Sequence, residues 1–190
     1  MKYLIITLGL GFLLSACAAP PKAVKTGSEI SETPEWVQTM GRYVKGEGAI
    51  GSSPKSGLGS QVQREDAMLA ARNSLAQNID TKVQSAISQT RQRLIEQGIA
   101  GASELGTLQT QNAARQMVNM RLNNSHPLKQ WKDPESGELY VWVIMDGKDL
   151  EAMQSDVNGK VIKKTFKDAA QHNKTIKDTF NEEFQKQFSN

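Results

Sequence analysis

Between residues 61 and 97 the chain contains neither glycine nor proline, and apolar residues return every three or four positions. Met68, Ala71, Leu75, Ile79, Val83, Ala86, Ile87, Thr90, Leu94 and Ile95 make up the stripe. That period follows the turn of an α-helix and predicts a helix of about 35 residues with one face on a core. At its normal rise such a helix is about 50 Å long. In a chain of 190 residues a rod of that length dictates how everything else packs. Ser60 stands where an N-cap is needed, because its side-chain oxygen can accept an early backbone N–H.

Residues 139–145, LYVWVIM, predict a strand. Leu139, Val141, Val143 and Met145 fall on one face; Tyr140, Trp142 and Ile144 fall on the other. A half-solvated strand alternates apolar with polar residues. This one is apolar on both faces, so both need cover: the long helix for one, and a second helix or another subunit for the other. Residues 125–132 read as a neighbouring strand, with Pro127 marking it as an edge because proline cannot donate to a ladder. Asp133-Pro134-Glu135-Ser136-Gly137-Glu138 is a turn signal. A four-residue loop over 134–137 sets Asp133 opposite Glu138 and makes Trp131 and Tyr140 an aromatic cross-strand pair. Residues 42–51 read as a first strand.

Residues 105–122 predict a weaker helix carrying Leu105, Leu108, Ala113, Met117 and Met120. A short helix is expected over 149–157, ending near Gly159. Residues 160–188 then predict one amphipathic helix of roughly eight turns, with Ile162, Phe166, Ala169, Ala170, Ile176, Phe180, Phe184 and Phe188 on its apolar side. It reads as a helix docked on the domain or on a partner helix; a membrane-surface helix is the other option. The fold class expected is α+β: a small antiparallel sheet packed by a long helix, plus an extended C-terminal amphipathic helix.

The N-terminus reads as an address. Lys2 precedes a run of twelve residues, 3–14, that is mostly apolar. A membrane-spanning helix needs about 20 residues; a run of this length suits the core of a signal peptide. Leu14-Ser15-Ala16-Cys17 follows at once and resembles the bacterial lipobox. The resemblance implies cleavage before Cys17 and attachment of diacylglycerol and an N-acyl chain to it. Ala18 in place of aspartate implies, by the same resemblance, sorting to the outer membrane. An ordinary secretory signal with a chance cysteine is the alternative, but the only cysteine of the chain stands at the expected place. Residues 17–33, with Pro20, Pro21 and Gly27, read as a lipidated cysteine and flexible tether averaging about 20–24 Å.

The lipobox, Pro34-Glu35-Trp36-Val37, the strand with Gly46, Gly48 and Gly51, the helix around 67–83 and the hairpin through Gly137-Glu138-Leu139-Tyr140-Val141-Trp142-Val143 occur in an order that resembles a small outer-membrane lipoprotein family. This is the "Lpp-twenty" type, related to lipoproteins of flagellar basal-body rings. The resemblance covers residues 34–148 and implies a small α+β unit with no catalytic residues. An insertion over 98–122 and the helical extension over 149–190 depart from it.

Composition limits the chemistry. One cysteine excludes an intramolecular disulfide framework and a multi-cysteine metal site. A net charge of +3 is weak and does not argue for nucleic acid, which calls for a concentrated basic patch. His126 and His172 are far apart in sequence, and neither has an acidic neighbour. Gly46-Glu47-Gly48-Ala49-Ile50-Gly51 spells G-x-G-x-x-G, but a Ser/Gly loop separates it from the helix that would hold a pyrophosphate. The acid pairs Glu65-Asp66 and Glu182-Glu183 read as solvated helix faces. No cofactor, metal, nucleic acid or small-molecule substrate is expected.

The function expected is therefore a non-enzymatic lipoprotein held at the outer membrane through Cys17 and facing the periplasm. It would act as a structural or interaction subunit, binding another envelope protein or its own copies, as in a flagellar or other envelope ring. A lipoprotein activator of a periplasmic peptidoglycan synthase is the alternative. Trp131, Tyr140, Trp142, Phe180, Phe184 and Phe188 are the candidate contact residues.

Overall fold

The computed structural model describes residues 33–166 and 172–189. In chain order these form helix α1 (Glu35–Gln38), strand β1 (Gly46–Ser53), helix α2 (Ser60–Glu96), a 3-10 turn (Ala102–Gly106), helix α3 (Leu108–Leu122), strands β2 (His126–Lys132) and β3 (Leu139–Asp146), helix α4 (Gly147–Val157), a π turn (Asn158–Ile162), helix α5 (Lys163–Thr165) and helix α6 (Asn173–Phe188). The sheet has order β1-β3-β2 and is antiparallel throughout. The fold is α+β, with a long helix across a small sheet and a C-terminal helix, as the sequence predicts.

Helix α2 has 37 residues. Ala67, Ala71, Leu75, Ile79, Val83, Ala86, Thr90 and Leu94 on its inner face are fully buried. They meet Ala49 of β1 and Val141, Val143 and Met145 of β3 in one core. The contact is closest at Gly51. A Cβ there would lie 2.1 Å from the Ala71 nitrogen and 2.4 Å from the Ala67 oxygen. Glycine in the strand and alanine in the helix therefore let two backbones touch, an approach that any side chain at Gly51 would prevent.

Two details of α2 differ from expectation. Gly59, not Ser60, occupies the cap position, and no side-chain bond caps it. Its φ of 106° requires glycine. The first turn is tied down instead by Gln63, which is buried and donates to the Ser53 and Gly137 carbonyls at 3.1 and 2.8 Å. At the other end Ile95 is 43% exposed, and Met68 is half-buried. An apolar stripe on so long a helix drifts around its axis, so its outermost members leave the core.

The hairpin has the expected register: Trp131 pairs with Tyr140 and Lys132 with Leu139. The Asp133 amide donates to the Glu138 carbonyl at 2.8 Å, closing the loop over 134–137. Strand β2 lies at the sheet edge, and a bulge falls between Pro127 and Lys129. The first strand starts at Gly46, four residues later than expected. Residues 42–45 instead form the end of a loop that crosses the sheet.

The weaker helix divides. Leu105 is buried in the 3-10 turn, and α3 begins after Thr107, whose hydroxyl accepts from the Thr110 amide at 3.3 Å. The buried face of α3 is Thr110, Ala114 and Val118. Leu108 and Met120 are exposed, and Ala113 and Met117 flank the core. The small residues Ala114 and Thr110, rather than the larger apolar ones, face inward because α3 lies close to α2.

The expected continuous helix over 160–188 is a correction. Helix α4 passes through Gly159 by widening into the π turn, and the described helix ends at Phe166 with φ −106° and ψ 35°. Ala169 and Ala170 lie outside the described residues. Helix α6 then packs along α2, while the π turn packs against α3 and α6. Phe166 and Phe180 are both buried in the same core. A straight helix would carry them to distant points, so the break is what lets both halves close on one body. The segment expected as an extension is thus part of the main core. The signal peptide and tether expected over 1–33 lie, apart from Thr33, outside the described residues.

Gly51→Val should lower stability by about 3 kcal/mol or more, since it separates α2 from the sheet. Gly57, where a Cβ would meet no atom within 4 Å, should tolerate alanine with little change. Denaturant unfolding of both variants checks this.

Candidate interaction surface

At Trp142 the second face of β3 is covered by the chain's own residues 35–45. Trp142 stacks on Trp36 at 5.8 Å with planes 9° apart, and Tyr43 meets it edge-on at 6.1 Å. Lys129 Nζ lies 5.9 Å from its ring centre. The indole N–H donates to the Gly41 carbonyl at 2.7 Å, and Trp142 is 8% exposed. A Cβ on Gly48 would stand 2.3 Å from that carbonyl and 2.7 Å from the indole nitrogen. Gly46, Gly48 and Gly51 lie within an antiparallel strand, where the last two permit close packing. A dinucleotide fingerprint would place its glycines at a strand-to-helix turn.

The candidate contact residues separate into two sets. Trp142, Phe180 and Phe184 are buried, the phenylalanines at 0% and 1% exposure. Phe184 stacks on half-buried Phe188 at 4.4 Å, and Lys82 Nζ lies 5.2 Å from the Phe188 ring centre. Phe180, Phe184 and Phe188 hold α6 on α2, and Trp142 is enclosed by residues 36–43. Trp131 and Tyr140 are half-exposed, paired at 5.5 Å between ring centres. Burial and then the hydrogen bond to Glu138 (3.0 Å) push the Tyr140 hydroxyl above the usual tyrosine range. Leu128, 43% exposed, is on the same edge strand. Trp131 and Tyr140, with Leu128 further along β2 at the bulge, are the accessible apolar side chains on this side of the sheet. Cys17 lies outside the described residues.

Charged side chains join the elements around this sheet. Glu47 of β1, 6% exposed, pairs with Lys82 of α2. Glu183 of α6 is buried and pairs with Arg93 at 3.0 Å and Lys186 at 3.1 Å. Half of the acid pair expected on a solvated face is therefore a buried link between α6 and α2. Glu182 stays exposed, held below the usual carboxylate range by hydrogen bonds from Lys186 and Arg93. Arg121 of α3 donates to Asp156 of α4 at 2.6 Å, and Lys160 joins it at 3.1 Å.

Among the described residues no three His, Cys, Asp or Glu are grouped to hold a metal ion. His126 is exposed on β2. A groove of about 760 Å³ separates the π turn from α6. Its amides bond to one another: Gln154 and Asn158 donate to Asn181 Oδ1 at 3.0 Å each, and Gln185 donates to Gln154 at 3.0 Å. None of the described helices is long and apolar enough to cross a membrane. The chain matches no protein-family model, no curated protein and no solved structure.

Sequence reasoning missed Gln63 and Glu183, both polar and both buried. A signal exists for Glu183: it falls between Phe180 and Phe184 on the helical stripe.

Asp156 carries a pH dependence. Burial raises its pKa, but hydrogen bonds and charge from Arg121 and Lys160 outweigh that and leave it below the usual aspartate range. The folded value is below the unfolded one, so its stabilisation is complete above about pH 4 and is lost as pH falls through the folded value. Asp156→Asn should cost about 1 kcal/mol at neutral pH and should flatten the acid side of a melting-temperature profile.

Proposed function

We propose that this chain is a lipid-anchored, non-enzymatic lipoprotein of the outer membrane, acting in the periplasm as a structural or interaction subunit. The observation that carries the reading is Leu14-Ser15-Ala16-Cys17, with the chain's only cysteine directly behind a twelve-residue, mostly apolar run. Acyl chains on Cys17 provide the anchor, since more than one chain is needed for stable attachment. The interaction role is supported by the half-exposed pair Trp131 and Tyr140 and by the edge strand β2, which carries Trp131 and Leu128 and is exposed at its six residues other than Trp131. Its partner is another envelope protein or a second copy of the chain. The resemblance to "Lpp-twenty" and flagellar-ring lipoproteins supports an envelope ring as the setting.

Mass spectrometry of the protein from bacterial envelopes should find Cys17 as the first residue, bearing diacylglycerol and an N-acyl chain. Cys17→Ser should lose both the acyl mass and the membrane fraction. A wild-type protein with a free Cys17 thiol, or one that keeps residues 1–16, would overturn the reading.

A further inference from the structure

We infer that the loop over residues 40–45 is a membrane-contact patch that seats the domain on an anionic lipid surface; the inference rests on the lipid-anchored reading above. Met40 and Val44 are 74% and 86% exposed. Three exposed cations belong to this region: Arg42 and Lys45 in the loop, and Lys148 just after Gly147, whose amide bonds to the Lys45 carbonyl at 2.9 Å. Glu35 is an exposed carboxylate of the same segment, and Asp146 accepts from the Tyr43 hydroxyl at 2.9 Å. Apolar side chains that can enter the acyl boundary, interleaved in one loop with cations that can meet phosphates, are the chemistry of an interfacial contact.

The loop is held, so this exposure is built in. The Gly41 carbonyl takes the Trp142 indole proton, and the Gly41 amide donates to the Trp36 carbonyl at 2.8 Å. Met40 is the one non-glycine residue with positive φ among those described, at 54°. Such strain persists only where surrounding contacts fix it. Here they fix a methionine that faces solvent.

The position fits an anchored chain. Gln38 Nε2 donates to the Thr33 carbonyl at 2.7 Å, so the chain enters the body at Gln38, two residues before Met40. Cys17 lies sixteen positions before Thr33. That length spans at most about 55 Å, and the patch stands next to the point where it arrives.

The test uses the full acylated protein in vesicles of phosphatidylethanolamine and phosphatidylglycerol. A photo-crosslinking p-benzoylphenylalanine replaces Val44 in one sample. It replaces Leu58 in another; that residue is 82% exposed and lies in the loop beyond the far end of β1. Both side chains are largely solvent-exposed, so neither substitution disturbs packing. Light should join the Val44 probe to lipid and leave the Leu58 probe free of lipid. Arg42→Gln with Lys45→Gln should reduce the Val44–lipid adduct severalfold, as should omission of phosphatidylglycerol. No lipid adduct from Val44 on protein whose Cys17 is acylated overturns the inference and leaves the anchor standing. An adduct to a second copy in place of lipid also overturns it. A chain recovered without acyl groups on Cys17 overturns the anchored reading and this inference with it.

Discussion

Gly51 lets the backbone of α2 come down on β1 at Ala67 and Ala71, and the rest of the molecule follows from that contact. With α2 so close, small side chains fill the first turns of the interface, and larger ones, Leu75, Ile79 and Val83, fill it where the distance opens. The same closeness brings Gln63 within reach of two carbonyls, one from β1 and one from the hairpin loop. Helix α2 is much longer than any strand of the sheet. Its remaining turns offer Leu94 and Thr90 to the 3-10 turn, α3 and α6. The C-terminal half of the chain is thus recruited to finish covering a helix that the sheet alone cannot cover.

The central strand has the opposite problem, two apolar faces and one helix. The chain resolves it with a short aromatic clasp. Trp36 and Tyr43 enclose Trp142, and the Gly41 carbonyl satisfies its N–H, which would be costly to bury unpaired. That arrangement removes the need for a second subunit over the middle of the sheet. It leaves the apolar margin at the hairpin end, where Trp131 and Tyr140 pair. At the other end of β3, Asp146 meets Tyr43 and the loop that carries Met40 and Val44. Val44 is therefore fixed near the Asp146 end of the strand, and the Trp131–Tyr140 pair near its Leu139 end.

Much of this was legible in the sequence. The long helix announced itself by a periodic stripe without glycine or proline, and the hairpin by its turn residues and its aromatic pair. Both signals are local, set by backbone periodicity and turn chemistry. The features that escaped are those decided by distant neighbours. Gly59 replaces Ser60 at the cap because the loop before α2 arrives with a backbone only glycine adopts. Glu183 is buried because Arg93, ninety positions away in sequence, meets it. The end of the described helix at Phe166 goes with two buried phenylalanines, Phe166 and Phe180, that reach one core, which a periodic pattern cannot report. The phenylalanine stripe was correctly seen as apolar, and α2 rather than another molecule turned out to cover it.

We propose that the lipid-anchored domain works by contact, through the edge of its sheet at β2. The most direct measurement places a photo-crosslinking side chain at Gln130, an exposed β2 position beside Trp131, in cells that acylate the chain at its native level. The account predicts one discrete protein adduct, its mass showing either a second copy or another envelope protein, and its loss when Trp131 is changed to alanine. Uncrosslinked chain alone, or an adduct that survives Trp131→Ala unchanged, would contradict it.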